Sequence, residues 1–436
     1  MNPVDVPLNL LVPGAAVPVD IRNPQGQLLL RRGELLVDET HLQRLRAHKP
    51  CISVADARAW QRAYERAVQR HFQDGRWRDG SLSHDLLLDQ LPATIEAQDY
   101  AELPTQFLKG GWLDAQEVLR VLLFHGGLAM DPLPRLRMMD ERAVQWLQAD
   151  ADDSLLSLFQ ALATPSLGYC ATHAWLCWVI TQLTAEKLDL PQEQRRALRM
   201  AALTMNIGIG RIQDAMAQQT TPLTPAQRAQ VQARPHISLD ILQSFGLGDA
   251  QVLDLVRWHH EPANTQALDD NLLPRVVLHL ANRLVAKMAS RQTRSSLAPK
   301  TAERALYLDA VAHQSPAADH ATAPSDAAEG SLNLQVSAAM ASAIGFFPPG
   351  SYVRLSNGDT AISVRRGAHA NTPWVVPIAD VNNMPYGHFT AYDTSRTHGI
   401  AQAVNFERVR LRLDLEKIRR ARATAHAAGL SPAPLA

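Results

Sequence analysis

Cysteine is scarce in this chain: three residues in 436, Cys51, Cys170 and Cys177. Three thiols cannot build a disulfide framework, which fits a reducing compartment. Charge of either sign in excess is also missing, because 43 lysines and arginines balance 43 aspartates and glutamates. Whole-chain electrostatics therefore makes no case for nucleic acid or an anionic membrane. No stretch approaches the roughly 20 apolar residues of a membrane span. Met1-Asn2-Pro3-Val4-Asp5 does not open a basic region followed by an apolar one. A cytoplasmic location is the expectation. What is present is ordinary: 46% hydrophobic and 20% charged residues exclude a disordered or fibrous chain. A length of 436 residues exceeds what one core usually organises, so two or three domains are expected.

The first 56 residues read as a small α/β segment. Val17-Pro18-Val19-Asp20-Ile21 alternates, Asn23-Pro24-Gln25-Gly26 turns, and Leu28-Leu29-Leu30 resumes a strand. Asp38 or Thr40 can cap a helix that carries Leu42 and Leu45, before the strand Cys51-Ile52-Ser53-Val54. Residues 57–150 turn helical, as at Leu86, Leu87, Leu88 and Leu91 and again at Val118, Leu119, Val121, Leu122 and Leu123. No repeat is visible. Residues 151–312 form a run of amphipathic helices, with Leu176, Val179, Ile180 and Leu183 at helical spacing before Leu190-Pro191. The expected class is mainly α, a central all-helical domain flanked by small strand-containing units.

A stretch of Ser, Pro, Ala and Asp from Gln314 to Gly330 reads as a linker, placed at 313–332. Residues 333–406 read as a β-rich extension. Within it Val353-Arg354-Leu355 and Ile362-Ser363-Val364 flank Ser356-Asn357-Gly358-Asp359, a strong hairpin signal. The tail, 407–436, interleaves Arg408, Arg410, Arg412, Arg419, Arg420 and Arg422 with Val409, Leu411, Leu413, Leu415 and Ile418. A basic amphipathic helix can touch nucleic acid or lipid. Asp414 and Glu416 dilute it, which favours a solvated helix packed by its apolar face.

The segment Ala201-Ala202-Leu203-Thr204-Met205-Asn206-Ile207-Gly208-Ile209-Gly210 resembles the signature helix of the HD-GYP branch of the HD phosphohydrolases, which reads Ala-Ala-Leu-Leu-His-Asp-Ile-Gly-Lys-Ile. The similarity runs on through Asp214, Leu223, Thr224, Arg234-Pro235, Ser238 and Ile241-Leu242. It returns at His259-His260-Glu261, Ala281-Asn282-Arg283, Arg291 and Arg294, and Thr172-His173 stands where the family opens its domain. The Gly26–Gly33 region is similar to an accessory segment that often precedes such domains. Pro348-Pro349-Gly350-Ser351-Tyr352-Val353-Arg354-Leu355-Ser356-Asn357-Gly358 is similar to the extension that often follows them. The resemblance implies hydrolysis of cyclic di-GMP by a two- or three-metal centre. There a bridging carboxylate and imidazoles hold cations that turn water into a nucleophile.

Carried over residue by residue, the resemblance implies that most of this centre is gone. The signature histidine falls on Met205, whose thioether suits hard cations poorly. The bridging aspartate falls on Asn206, the phosphate-facing lysine on Ile209, and the aspartate of the last metal-binding helix on Asn282. The histidine before proline falls on Arg234, a permanent cation that repels a metal. After Glu261 the chain runs Pro262-Ala263-Asn264-Thr265-Gln266, with no Gly-Tyr-Pro. His173, His259 and His260 are the residual metal candidates. No catalytic residue and no cofactor is expected, or at most a single weakly bound divalent metal.

Several side chains carry two readings. His236 lies two residues from Arg234, about 200° round a helix, so it should point away from the site. Cys170, His173 and Cys177 share a helix face, but the cysteine Cα atoms lie about 10.5 Å apart, which favours packed core thiols over a shared ion. Trp258 is either core or a platform for a base. Arg234 either pairs with Glu261 or offers its guanidinium to a phosphate. Arg234, His259, His260 and Trp258 are the ligand-binding candidates. Two functions compete: a catalytically impaired signalling module that binds a protein partner or a cyclic dinucleotide, and an active metal-dependent phosphohydrolase with a rebuilt site. A nucleic-acid reading through the tail would require steep salt dependence.

Overall fold

The computed structural model describes residues 3–6, 11–53, 111–129, 132–164, 168–290, 296–314, 324–409, 411 and 413–427, with 56, 57, 59, 60 and 63. The expectations at Leu86–Leu91, Arg291, Arg294, Arg410 and Arg412 fall outside these. The fold is mainly α-helical, with small antiparallel sheets near both ends. The chain divides into two compact units, Met1–Lys109 with Gly127–Pro132, and Gly110–Gly126 with Leu133–Ala436.

In the first unit, β1 (Pro3–Asp5), β2 (Ile21–Arg22), β3 (Leu28–Leu30) and β4 (Cys51–Ser53) form a sheet in the order β1-β4-β2-β3. Helix α1 (Glu39–Ala47) starts at Asp38, whose side chain accepts from the His41 N–H at 2.7 Å. Leu42 and Leu45 face a core with Val17, Val19, Ile21, Leu36 and Trp60. The expected strand at Val17–Ile21 forms only from Ile21. Ala16 makes a single bridge to Leu35 instead.

The second unit carries helices α2 (Trp112–His125), α3 (Pro132–Ala149), α4 (Ala151–Leu162), α5 (Tyr169–Lys187), α6 (Gln192–Thr204), α7 (Gly210–Gln218), α8 (Pro225–Ser244), α9 (Ala250–Trp258), α10 (Leu272–Met288), α11 (Pro299–Gln314) and α12 (Pro324–Ile344). Helix α5 is the central column, buried along nearly its whole length. It is buried on all sides, polar Thr172, His173, Thr181, Gln182 and Thr184 included, as expected of a helix surrounded by others. Its Gly168 cap offers no side chain, and Asp214 of α7 supplies the missing acceptor, taking the Cys170 N–H at 2.6 Å. Trp178 Nε1 on α5 donates to Asp140 at 2.7 Å, and Arg199 Nε on α6 donates to the same oxygen at 2.8 Å. Helix α8 opens with a capping box between Thr224 and Gln227.

The linker expected at 313–332 is corrected in part: α12 is helical from Pro324, so helix extends beyond residue 333 where strands were expected. Its alanines favour helix once packing against α5, α10 and α11 is available. Strands β5 (Tyr352–Leu355), β6 (Thr360–Arg365), β7 (Trp374–Ala379), β8 (Tyr392–Asp393) and β9 (Ile400–Val404) form a sheet ordered β8-β7-β6-β5-β9. Gly358, at φ 92°, makes the β5–β6 hairpin turn. This sheet belongs to the same unit as the helices. Gln160 Nε2 of α4 donates to the Gly350 carbonyl at 2.7 Å, and Tyr352 Oη donates to Gln160 Oε1 at 3.1 Å.

Helix α13 (Leu415–Ala427) buries Ile418 and Ala421. Its arginines are engaged: Arg419 Nε donates to Asp153 at 2.8 Å, and Arg422 pairs with Asp150. Arg366, just past the end of β6, pairs with Asp152 at 2.6 Å. Three aspartates around the start of α4 thus hold C-terminal guanidiniums, a favourable place for carboxylates. Among the described residues no helix is long and apolar enough to cross a membrane.

Candidate functional site

The resembling segment folds as the end of α6, a 3-10 turn at Ile207–Ile209, and the start of α7. Met205 caps α6, its N–H donating to the Ala201 carbonyl at 2.8 Å. Ser238 of α8 ties the turn down: its hydroxyl donates to the Met205 carbonyl at 3.0 Å and accepts the Gly208 N–H at 3.1 Å. A Cβ at Gly208 would lie 2.8 Å from Ile237 Cγ2, so only glycine allows this approach. Met205, Ile207 and Ile209 are buried. Asn206 is buried too, and neither atom of its side-chain amide has a hydrogen-bond partner among the described residues.

Arg234 lies one turn before Ser238 on α8, on the same face. Its guanidinium donates to His260 Nε2. Glu261, the acceptor expected from the sequence, is exposed and takes Asn264 Nδ2 at 3.0 Å. His259 and His260 follow the end of α9, with ring centroids 3.9 Å apart. His259 is fully buried and donates from Nδ1 to the Val256 carbonyl at 2.9 Å. That bond fixes the proton on Nδ1 and leaves Nε2 a lone pair, which has no partner among the described residues. His279 of α10, given no role in the sequence reading, donates from Nδ1 to the His259 carbonyl at 2.8 Å.

All three of these imidazoles are held neutral. Burial pushes His260 down to about 3, with the charges of Arg234, His279 and His173 adding to it. Burial, then His260 and Arg234, holds His259 well below the usual range. Burial lowers His279 in the same way. His173 sits buried on α5, its Nδ1 3.8 Å from Cys177 Sγ. Both Cys170 and Cys177 are fully buried, and burial pushes each thiol well above its ordinary value. Asn282 is buried on α10.

The remaining sequence candidates make contacts of their own. Trp258 is half-buried, and the Arg257 guanidinium covers its ring 4.2 Å from the centroid. Arg257 also donates to His236, which is exposed, at 3.2 Å. One face of Trp258 is therefore already stacked on a cation.

These residues do not fit a two-metal centre. Hard divalent cations want carboxylates, and here a thioether and two amides stand at the expected carboxylate and imidazole positions. The His260 lone pair is spent on a guanidinium, whose charge opposes any nearby cation. Among the described residues no three His, Cys, Asp or Glu side chains are placed to hold a metal. What the arrangement offers is neutral hydrogen-bonding chemistry: an amide donor and acceptor, an imidazole acceptor and one internal cation.

Comparison with known proteins gives little more. No family model matches the chain, and no curated protein does. A solved structure, described as Bd1817, a HDG"Y"P protein from Bdellovibrio bacteriovorus, aligns with 14% identity over 77% of this chain and 99% of that one, at a TM-score of 0.35. A likeness at that level transfers no property to this chain.

Proposed function

We propose that this chain is a catalytically impaired HD-GYP-like module of bacterial second-messenger signalling. It acts in the cytoplasm by binding a protein partner or a cyclic dinucleotide, and residues 151–312 are its degenerate domain. The observation that carries the reading is Arg234 donating to His260 Nε2. A guanidinium there uses the lone pair a metal would need and brings a permanent positive charge with it. The buried amides of Asn206 and Asn282 support it, since neither can replace a bridging carboxylate.

The competing reading, an active phosphohydrolase with a rebuilt site, would require another carboxylate cluster in place of the one lost. The discriminating experiment incubates the full chain with cyclic di-GMP and manganese or iron, and follows linear dinucleotide over time. The expected result is no product above background, because loss of even single ligands or their supports costs about 10–100-fold. Product that accumulates with time and disappears on His259→Ala would overturn the proposal.

A further inference from the structure

Helix α13 meets the rest of its unit through charge more than through apolar surface. Of its described side chains only Ile418 and Ala421 are buried, whereas α5 is buried along nearly its whole length. The helix lies against β6 and β7. Two guanidiniums reach from it to the start of α4. Arg419 donates from Nε to Asp153 at 2.8 Å and from Nη2 to the Ser157 hydroxyl at 2.8 Å, and Arg422 pairs with Asp150. The side chains of both pairs keep between 17% and 43% of their surface in solvent. Ion pairs that wet are individually weak and are screened by salt. Asp152 is held from the end of β6 instead, by Arg366 at 2.6 Å and Arg365 at 3.8 Å, independently of α13.

Each side of this contact is complete without the other. Asp414 caps α13, its Oδ1 accepting the Glu416 N–H at 3.1 Å, and Glu416 pairs with Arg419 at 2.9 Å within the helix. On the facing side, Asp150 caps α4 by accepting the Asp153 N–H at 2.9 Å. The dipole of α4 favours both carboxylates with or without an arginine beside them. Ser157 keeps its own bond to the Asp153 carbonyl at 2.8 Å. Parting the two sides therefore returns half-wet ions to water and strands neither carboxylate in an apolar place. The parting also has a fixed limit. Phe406 is buried, and Glu407 takes the Ser296 N–H at 2.8 Å and its hydroxyl at 2.7 Å, which pins the chain ahead of the helix.

We propose that α13 is a detachable strap, docked on α4 and the β6–β7 strands at low ionic strength and released when Arg419 and Arg422 are screened. Release bares the Asp150–Asp153 edge of α4 and the apolar seat of Ile418, and it frees a basic amphipathic helix. The helices beneath stay folded. No residue of the Arg234–His260 contact takes part, so a failure here leaves the reading of that site untouched.

The test follows hydrogen–deuterium exchange of the full chain by mass spectrometry at low and at high sodium chloride, with α5 as the internal reference. At low salt α13 should be protected, and at high salt its exchange should speed up about tenfold while α5 is unchanged. Arg419→Gln and Arg422→Gln should each speed α13 exchange at low salt about two- to fivefold, the range of partly exposed pairs. Arg419→Glu should do more. Asp153→Arg added to Arg419→Glu should restore protection, which a role in packing alone would not give. Arg396→Gln, in a side chain that is 71% exposed, should change nothing. The salt series on the natural chain decides even where a variant fails to fold. Exchange of α13 as slow as that of α5 at both salt levels would make it a fixed part of the fold. Free exchange at both would mean that it does not dock. Either result overturns the proposal.

Discussion

Two sets of buried polar side chains differ in how they are satisfied: one centres on Asp254 of helix α9, the other comprises His259, just past the end of α9, and Asn206, just past the end of α6. In the first, Asp254 and Arg275 pair at 2.7 Å with side chains only 6% and 3% exposed. Asp254 also accepts from the Leu268 N–H at 2.8 Å and from Asn271 Nδ2 at 3.0 Å. Arg275 donates to the Pro262 carbonyl at 2.8 Å and the Leu268 carbonyl at 2.6 Å. These bonds clamp the segment that follows the histidine pair. In the second set, both amide atoms of Asn206 and Nε2 of His259 are buried without a partner among the described residues. A buried polar group without a partner costs stability, whereas a satisfied ion pair holds its surroundings in one arrangement. The difference separates a network whose polar groups are satisfied from side chains that are buried without partners among the described residues.

The largest effect should come from breaking the first cluster. Arg275→Met leaves Asp254 buried and uncompensated, and should lower stability by about 3–5 kcal/mol in urea unfolding. Asp254→Leu combined with Arg275→Met should recover most of that loss. A single-variant cost near zero would mean the pair holds nothing.

The second effect is acid sensitivity of the histidine cluster. His259 and His260 bind protons less readily folded than unfolded, where the ordinary value is about 6.5. Below that value the unfolded state takes up more protons, so stability present above pH 6.5 should fall as pH drops toward about 3. Each such histidine adds a slope of up to about 1.4 kcal/mol per pH unit. His260→Gln should flatten this limb in unfolding curves recorded across the range. An unchanged slope would place the acid sensitivity elsewhere.

Much of the fold could be read from periodicity and turn chemistry. The helical centre, the Asp38 cap and the Asn357-Gly358 hairpin all rest on neighbours close in sequence. The contacts of the site do not. Arg234 and His260 are 26 residues apart, and the sequence suggested Glu261 because opposite charges attract; the structure gives the guanidinium a neutral imidazole instead. His279 and the Asp254–Arg275 pair give no signal in the sequence, since each looks like an ordinary polar residue on an amphipathic helix, and Ser238 stands out only through the resemblance, without the turn it ties down. The tail arginines looked unpartnered because Asp150 and Asp153 lie more than 260 residues upstream.

Smaller effects sharpen the contrast. Asn206→Leu removes an amide that has no partner, so stability should rise by about 1 kcal/mol, the reverse of what a ligand-holding residue would give. Thermal unfolding of the two proteins at one pH decides the sign. Arg422→Ala removes a partly exposed pair with Asp150 and should cost no more than about 1 kcal/mol, less at high salt. A larger, salt-independent loss in denaturant unfolding would make that pair a structural anchor instead.

The central claim, that a guanidinium and two amides have replaced the chemistry of a metal centre, is tested most directly by metal content. The full chain, purified without chelator from cells supplied with iron and manganese, would be assayed by elemental analysis beside a variant carrying Met205→His, Asn206→Asp, Arg234→His and Asn282→Asp. The account predicts no stoichiometric iron or manganese in the natural chain, and metal in the variant if it folds. Stoichiometric metal in the natural chain, lost on His259→Ala, would contradict it.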